Sequence, residues 1–164
     1  MARLALGLLW LLHWLPMPAL AALGRALGGL LWTVGKKRRR IAIRNLELCL
    51  PELTDDERVG LAREHFGWLG RSFLERSLLW YASPARLRTL IQVEGDVHLA
   101  ERSERPVMWL VPHFLGLDVA GAATQLFQTR KVGSIYQQQS SAVFDAAMKA
   151  GRLRFGNAEI YPRS

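Results

Sequence analysis

His113 and Asp118 are the only ionisable side chains in an otherwise apolar stretch, VMWLVPHFLGLDVAGA, that runs from Val107 to Ala122. An imidazole titrates close to neutrality, so it can take a proton from a hydroxyl at physiological pH. A carboxylate that accepts from the imidazole Nδ1 fixes the tautomer, leaves Nε2 free as the base and stabilises the imidazolium that forms. No Ser or Cys lies between Val107 and Ala122. The hydroxyl therefore belongs to a substrate, and no covalent intermediate on the protein is required. The alternative is a buried structural histidine and an aspartate that only caps its helix.

Spacing restricts how the two can meet. On one continuous helix, positions five apart point roughly 140° from each other, given about 100° per residue. His113 must then lie in a loop and Asp118 in the first turn of the helix that follows, where the helix dipole favours a carboxylate. The flanking sequence supplies such elements. PVMWLV (106–111) is apolar without alternation and reads as a buried strand, and GLDVAGAATQLFQ (116–128) reads as a helix. LIQVEG (90–95) reads as an earlier strand, 96–104 as a polar-faced helix, KVGSIY (131–136) as a third strand and SAVFDAAMKAGRLRF (141–155) as a helix capped by Ser141. AEIY (158–161) begins a further strand as the sequence stops, so the chain is expected to be truncated. Strands and helices alternating at this length imply crossover connections and a mostly parallel sheet, with reactive groups at the carboxyl ends of its strands.

Before that region the chain is helical in character. Thr54 to Glu57 forms a capping box for a long helix whose apolar positions Ala62, Phe66, Leu69, Phe73 and Trp80 share one face, while Arg63 and His65 fall away from it. Ser83 and Pro84 have the form of an N-cap and first helical position. IAIRNLELCL (41–50) reads as a short amphipathic helix ended by Pro51. The first 34 residues are apolar apart from Arg3, His13 and Arg25, and Lys36 to Arg40, KKRRR, follow at once. That is the pattern of a membrane-associated segment with a basic flank, which places the following domain on the cytoplasmic side. A cleaved secretory signal fits less well, because the apolar character continues past the small-x-small site at 19–21. Pro16 and Pro18 leave two options, one tilted span or two short helices lying in the interface with Trp10, Trp14 and Trp32 at headgroup depth.

Composition sets outer bounds. With 22 Lys and Arg against 14 Asp and Glu, the formal charge of +8 favours acidic partners. Six Trp in 164 residues suit a lipid surface better than a nucleic acid, and aromatic and basic residues do not interleave after position 90. One cysteine, Cys49, excludes an intrachain disulfide, and no Cys/His cluster of metal-site type occurs.

HFLGLD (113–118) is similar to the H-x4-D/E motif of the glycerolipid acyltransferase superfamily, and its surroundings resemble the late acyltransferases of lipid A biosynthesis, the lauroyl and myristoyl transferases. KKRRRIAIRNLELCLPEL (36–53) matches their basic run and R-N-L-x-x-C-x-P-E-like element, and Gly151-Arg152-Leu153-Arg154 matches their G-R-x-R element. Two departures stand out: Asp118 where most of these enzymes carry Glu, and YQQQSS (136–141) in place of a Y-R-P…N-P pattern.

The resemblance implies an α/β fold, a glycerolipid-acyltransferase-like sheet flanked by helices, with a membrane anchor over 1–35 and the N-terminal part of the acyltransferase domain over 36–164. It implies O-acyl transfer from acyl carrier protein to a hydroxyl of a phosphorylated lipid A precursor, at the cytoplasmic face of an anionic inner membrane. His113 and Asp118 are then the catalytic pair, and Arg152 and Arg154 bind substrate. Arg154 equally reads as a partner of a helix dipole. No cofactor, metal or nucleic acid is expected. A lysophospholipid or ornithine lipid as acceptor, or a catalytically inactive membrane-bound chain, are the alternatives.

Overall fold

The computed structural model describes residues 2–163. In chain order the elements are α1 (Ala2–Leu12), α2 (Met17–Val34), α3 (Lys36–Cys49), α4 (Asp55–Tyr81), α5 (Pro84–Leu90), α6 (Leu99–Arg102), α7 (Leu117–Phe127), β1 (Val132–Tyr136), α8 (Ala142–Leu153) and β2 (Ala158–Pro162). They form two compact units. One runs through Trp14 and resumes at Arg76, and the other spans Leu15–Glu75.

The Leu15–Glu75 unit is a helical layer. Pro16 follows the turn after α1 and stands as the extended residue before α2, while Pro18 sits where a missing N–H costs no hydrogen bond. The apolar start is thus two helices, and among the described residues only α2 has the length and mean hydropathy (1.3 over 18 residues) to cross a membrane. Close backbone approach joins α2 to α4, because a Cβ on Gly28 would stand 2.2 Å from the Phe66 carbonyl oxygen. Trp32 meets Phe66 edge-on, with ring centroids 5.4 Å apart. The capping box forms as expected, with Thr54 N–H donating to Glu57 Oε2 at 2.8 Å and Glu57 N–H to Thr54 Oγ1 at 3.4 Å. The apolar face of α4 is only partly as expected. Ala62, Phe66 and Trp80 are buried, but Leu69 and Phe73 are exposed, while Leu74, Ser77, Leu78 and Leu79 take their place. A run of 27 residues at 3.6 per turn drifts around the axis, so one stripe does not face one neighbour throughout.

The other unit carries the α/β part. β1 and β2 pair in parallel, from Val132 opposite Ala158 to Tyr136 opposite Pro162, with α8 as the crossover between them. This is the connection that the alternating pattern implied, reduced to two strands. Gly156 makes the turn out of α8 at φ 87°, a region that residues with a Cβ enter at a cost. Ser83 and Ser141 cap α5 and α8 by accepting from the N–H of Arg86 and Phe144 at 3.2 and 3.4 Å. The C-terminal carbonyls of α7 are met by side chains: Arg88 donates to Leu126 O at 3.2 Å, and Asn157 donates to Gln125 O and Gln128 O at 3.3 and 2.9 Å.

Two expected strands do not form. LIQVEG gives its first residue, Leu90, to the end of α5 and is otherwise extended or irregular, as is PVMWLV, and the helix expected over 96–104 is the single turn α6. Met108 and Leu110, expected inside a sheet, are each 97 % exposed. β-propensity records how well a side chain suits a pleated, half-buried surface; a strand also needs a neighbour to accept its backbone hydrogen bonds. Among the described residues no ladder partner lies beside 106–111.

Candidate active site

α7 begins at Leu117, which puts Asp118 in its first turn and His113 in the loop before it, as the spacing requires. The pairing expected from sequence is not the one observed. Both Asp118 oxygens are held by arginines. Arg76, from the last turns of α4, donates through Nε to Oδ2 at 2.9 Å, and Arg152, from the last turn of α8, donates through Nε and Nη2 to Oδ1 at 3.1 and 2.7 Å. His113 is exposed and makes no hydrogen bond or ion pair among the described residues.

The aspartate's electrostatics follow from these neighbours. Burial pushes the Asp118 carboxyl up, and the Arg152 and Arg76 guanidiniums together outweigh it, holding the group below the ordinary carboxylate value. It is a carboxylate, flanked by two cations, at a helix N-terminus.

The G-R-x-R run acquires a structural reading residue by residue. Gly151 lies flat against the Trp80 indole, where a Cβ would come 2.4 Å from the Trp80 ring. That approach brings the end of α8 onto the end of α4 and delivers Arg152 to Asp118. Gln125 of α7 ties down the same turn by donating from Nε2 to Arg152 O at 2.9 Å. Arg154 turns the other way. Its guanidinium donates to Leu79 O at 3.0 Å and Ala82 O at 2.6 Å, the carbonyls left open where α4 ends. The dipole-partner reading of Arg154 is therefore the one its contacts support.

His113, Asp118 and Arg152 line one cavity of about 760 Å³. Its walls are largely apolar and include Trp80, Val107, Trp109 and Ile160. That volume lies in the range of sites that bury small ligands, roughly 300–1,000 Å³. An imidazole, a carboxylate and a guanidinium on the wall of an apolar cavity suit a substrate with a long apolar part and an anionic part.

Arg76 is the residue that sequence reasoning missed. A signal was present, since it is a cation placed among the buried positions Leu74, Ser77, Leu78 and Leu79, where an unpaired charge is rarely tolerated.

The family model described as bacterial lipid A biosynthesis acyltransferase matches residues 1–164. The lipid A biosynthesis palmitoleoyltransferase of Escherichia coli (strain K12) is 32 % identical over 157 residues, covering 94 % of this chain and 51 % of that protein. The lipid A biosynthesis lauroyltransferase of the same organism is 32 % identical over 153 residues, covering 92 % and 49 %. The myristoyltransferase is 32 % identical over 141 residues, covering 85 % and 42 %. The chain thus spans about half the length of the curated relatives it matches. No solved structure gives a significant match. Matched from end to end by the family model and about 32 % identical to several proteins named as lipid A biosynthesis acyltransferases, the chain belongs to the bacterial lipid A biosynthesis acyltransferase family.

Proposed function

We propose that the protein transfers a fatty acyl group from acyl carrier protein to a hydroxyl of a phosphorylated lipid A precursor. The observation that carries this reading is an unpartnered His113 at an apolar cavity that Asp118 and Arg152 also line, in a chain of this family. His113 Nε2 takes the hydroxyl proton as the oxygen attacks the thioester carbon. The new C–O bond forms, the C–S bond breaks, and the imidazolium returns the proton to the departing thiolate. Asp118 orients the imidazole and offsets its charge, while Arg152 binds a phosphate of the acceptor. Arg154 supports Arg152 by fastening the end of α8 to the end of α4.

The reaction belongs at a membrane. Residues 1–35 act as the anchor, and the basic run at 36–40 holds the rest of the chain at the anionic cytoplasmic face of the inner membrane.

Replacing His113 with Ala in the gene's product, and following lipid A by mass spectrometry, tests the base directly. The expected result is loss of one acyl chain's mass from the product. An unchanged acylation pattern rules the role out.

A further inference from the structure

The carboxylate that should orient His113 is occupied on both oxygens, and the imidazole it should orient is unpartnered. The two arginines holding it are not equivalent. Arg152 lines the cavity, whereas Arg76 is not among the lining residues. Their side chains are about equally accessible, 31 % and 30 %, and that of Asp118 only 14 %. An anion entering the cavity therefore meets Arg152 first. The other cations of the wall are engaged elsewhere. Arg130 donates to Ala100 O and Ser103 O, and Lys131 lies 3.5 Å from Glu159. Two guanidiniums around one carboxylate leave a net charge of +1, which attracts one anion. A phosphate monoester carries about −1.5 to −2 charges at neutral pH and binds a guanidinium through two parallel hydrogen bonds, so it competes with a carboxylate for the same fork.

We propose that Arg76, Asp118 and Arg152 form an anion-operated latch: a phosphate-type group on the acceptor draws Arg152 away from Asp118 Oδ1, and Oδ1 then accepts from His113 Nδ1. Arg76 keeps Oδ2 throughout and acts as the pivot, a positioning residue that never touches the substrate. The dyad is assembled only when the acceptor is seated, which keeps a bound thioester from losing its acyl group to water. The identity of the anion as part of the acceptor rests on the function proposed above; the exchange itself does not.

The test uses the chain in detergent micelles with 15N-labelled histidine, at a pH where imidazole is neutral, and inorganic phosphate as the probe against chloride at matched ionic strength. His113 is assigned among the four histidines by loss of its signals in His113→Gln. A neutral imidazole free in solution favours the Nε2–H tautomer. Saturating phosphate is expected to convert most of His113 to the Nδ1–H tautomer, while chloride leaves it unchanged. Arg152→Gln is expected to remove the response to phosphate, and Arg76→Met to halve it or more, with recovery in Arg76→Lys. No tautomer change in the wild-type chain overturns the latch, as does an undiminished change in Asp118→Ala, which has no acceptor at that position and so shows phosphate acting on the imidazole directly. Loss of acylation in His113→Ala without any tautomer response leaves the general base standing and removes the latch. A tautomer response with unchanged acylation does the reverse.

Discussion

Between Arg76 and Arg152, Asp118 is a carboxylate whose folded-state pKa is depressed, and this couples its protonation to stability. A depressed acid contributes stability that is fully present above its unfolded value, about 4, and is lost as the pH falls through its lower folded value. Asp118→Asn is therefore expected to cost about 1.5–3 kcal/mol at pH 7, the range for hydrogen bonds to charged groups. The gap to wild type should close as the pH falls below about 4. Urea titrations at pH 7 and pH 3 check this, and a gap of equal size at both values counts against the paired carboxylate. At Arg152 the fork matters as well as the charge. Arg152→Lys keeps one cation but loses the paired donation from Nε and Nη2, so acyl transfer is expected to fall about tenfold with little change in folding. Normal rates in that variant would show that charge alone suffices. The loop position of His113 and the first-turn position of Asp118 were legible because types, isolation and spacing all lie within six residues. Arg76 was not, because it stands 42 positions before Asp118 and only the packing of α4, α7 and α8 brings it there.

Helices were far more legible than strands, and the reason is local. A cap or a capping box is satisfied within four residues, so Thr54, Ser83 and Ser141 announce themselves in sequence and are found doing that work. A strand depends on a partner that can come from anywhere in the chain. VGSIY finds one across the α8 crossover, and PVMWLV finds none among the described residues. The contact that most directly builds the site is also non-local: the end of α8 reaches α4 only because Gly151 has no side chain. Gly151→Ala must displace the Trp80 ring or the helix end, and is expected to destabilise the unit by about 1–3 kcal/mol, as overpacking does. Transfer should fall as well, because Arg152 is the next residue and moves with the turn. Ser141→Ala, at the other end of α8, should cost about 1 kcal/mol without a comparable fall in transfer. Chemical denaturation together with an acyl-transfer assay separates the two, and equal losses of activity would mean that the Trp80 approach has no special part in placing Arg152.

Across the whole molecule, charge and apolar length are set next to each other. α2 is 18 residues, about 27 Å at 1.5 Å per residue, close to a bilayer's hydrocarbon thickness of about 30 Å. Lys36 to Arg40 begin α3 directly after Gly35, and all but Arg39 are exposed. Arg39 instead stacks over the Trp32 ring at 5.2 Å and donates to Trp32 O at 3.2 Å, tying the basic helix to the end of the apolar one. Such a run is worth about 1 kcal/mol per basic residue near an anionic surface and almost nothing near a neutral one. Screening reduces that figure, since the Debye length is about 8 Å at physiological ionic strength. Replacing the four exposed residues, Lys36, Lys37, Arg38 and Arg40, with Gln is therefore expected to weaken binding to phosphatidylglycerol-containing vesicles at least tenfold at low salt. The effect should shrink as salt rises, and binding to phosphatidylcholine vesicles should stay as it was, because α2 is untouched. Co-sedimentation over a salt series reads both quantities. Equal losses on the two vesicle types would mean that the substitutions had damaged the apolar helix, and no loss on either would mean that apolar burial alone holds this chain at the membrane.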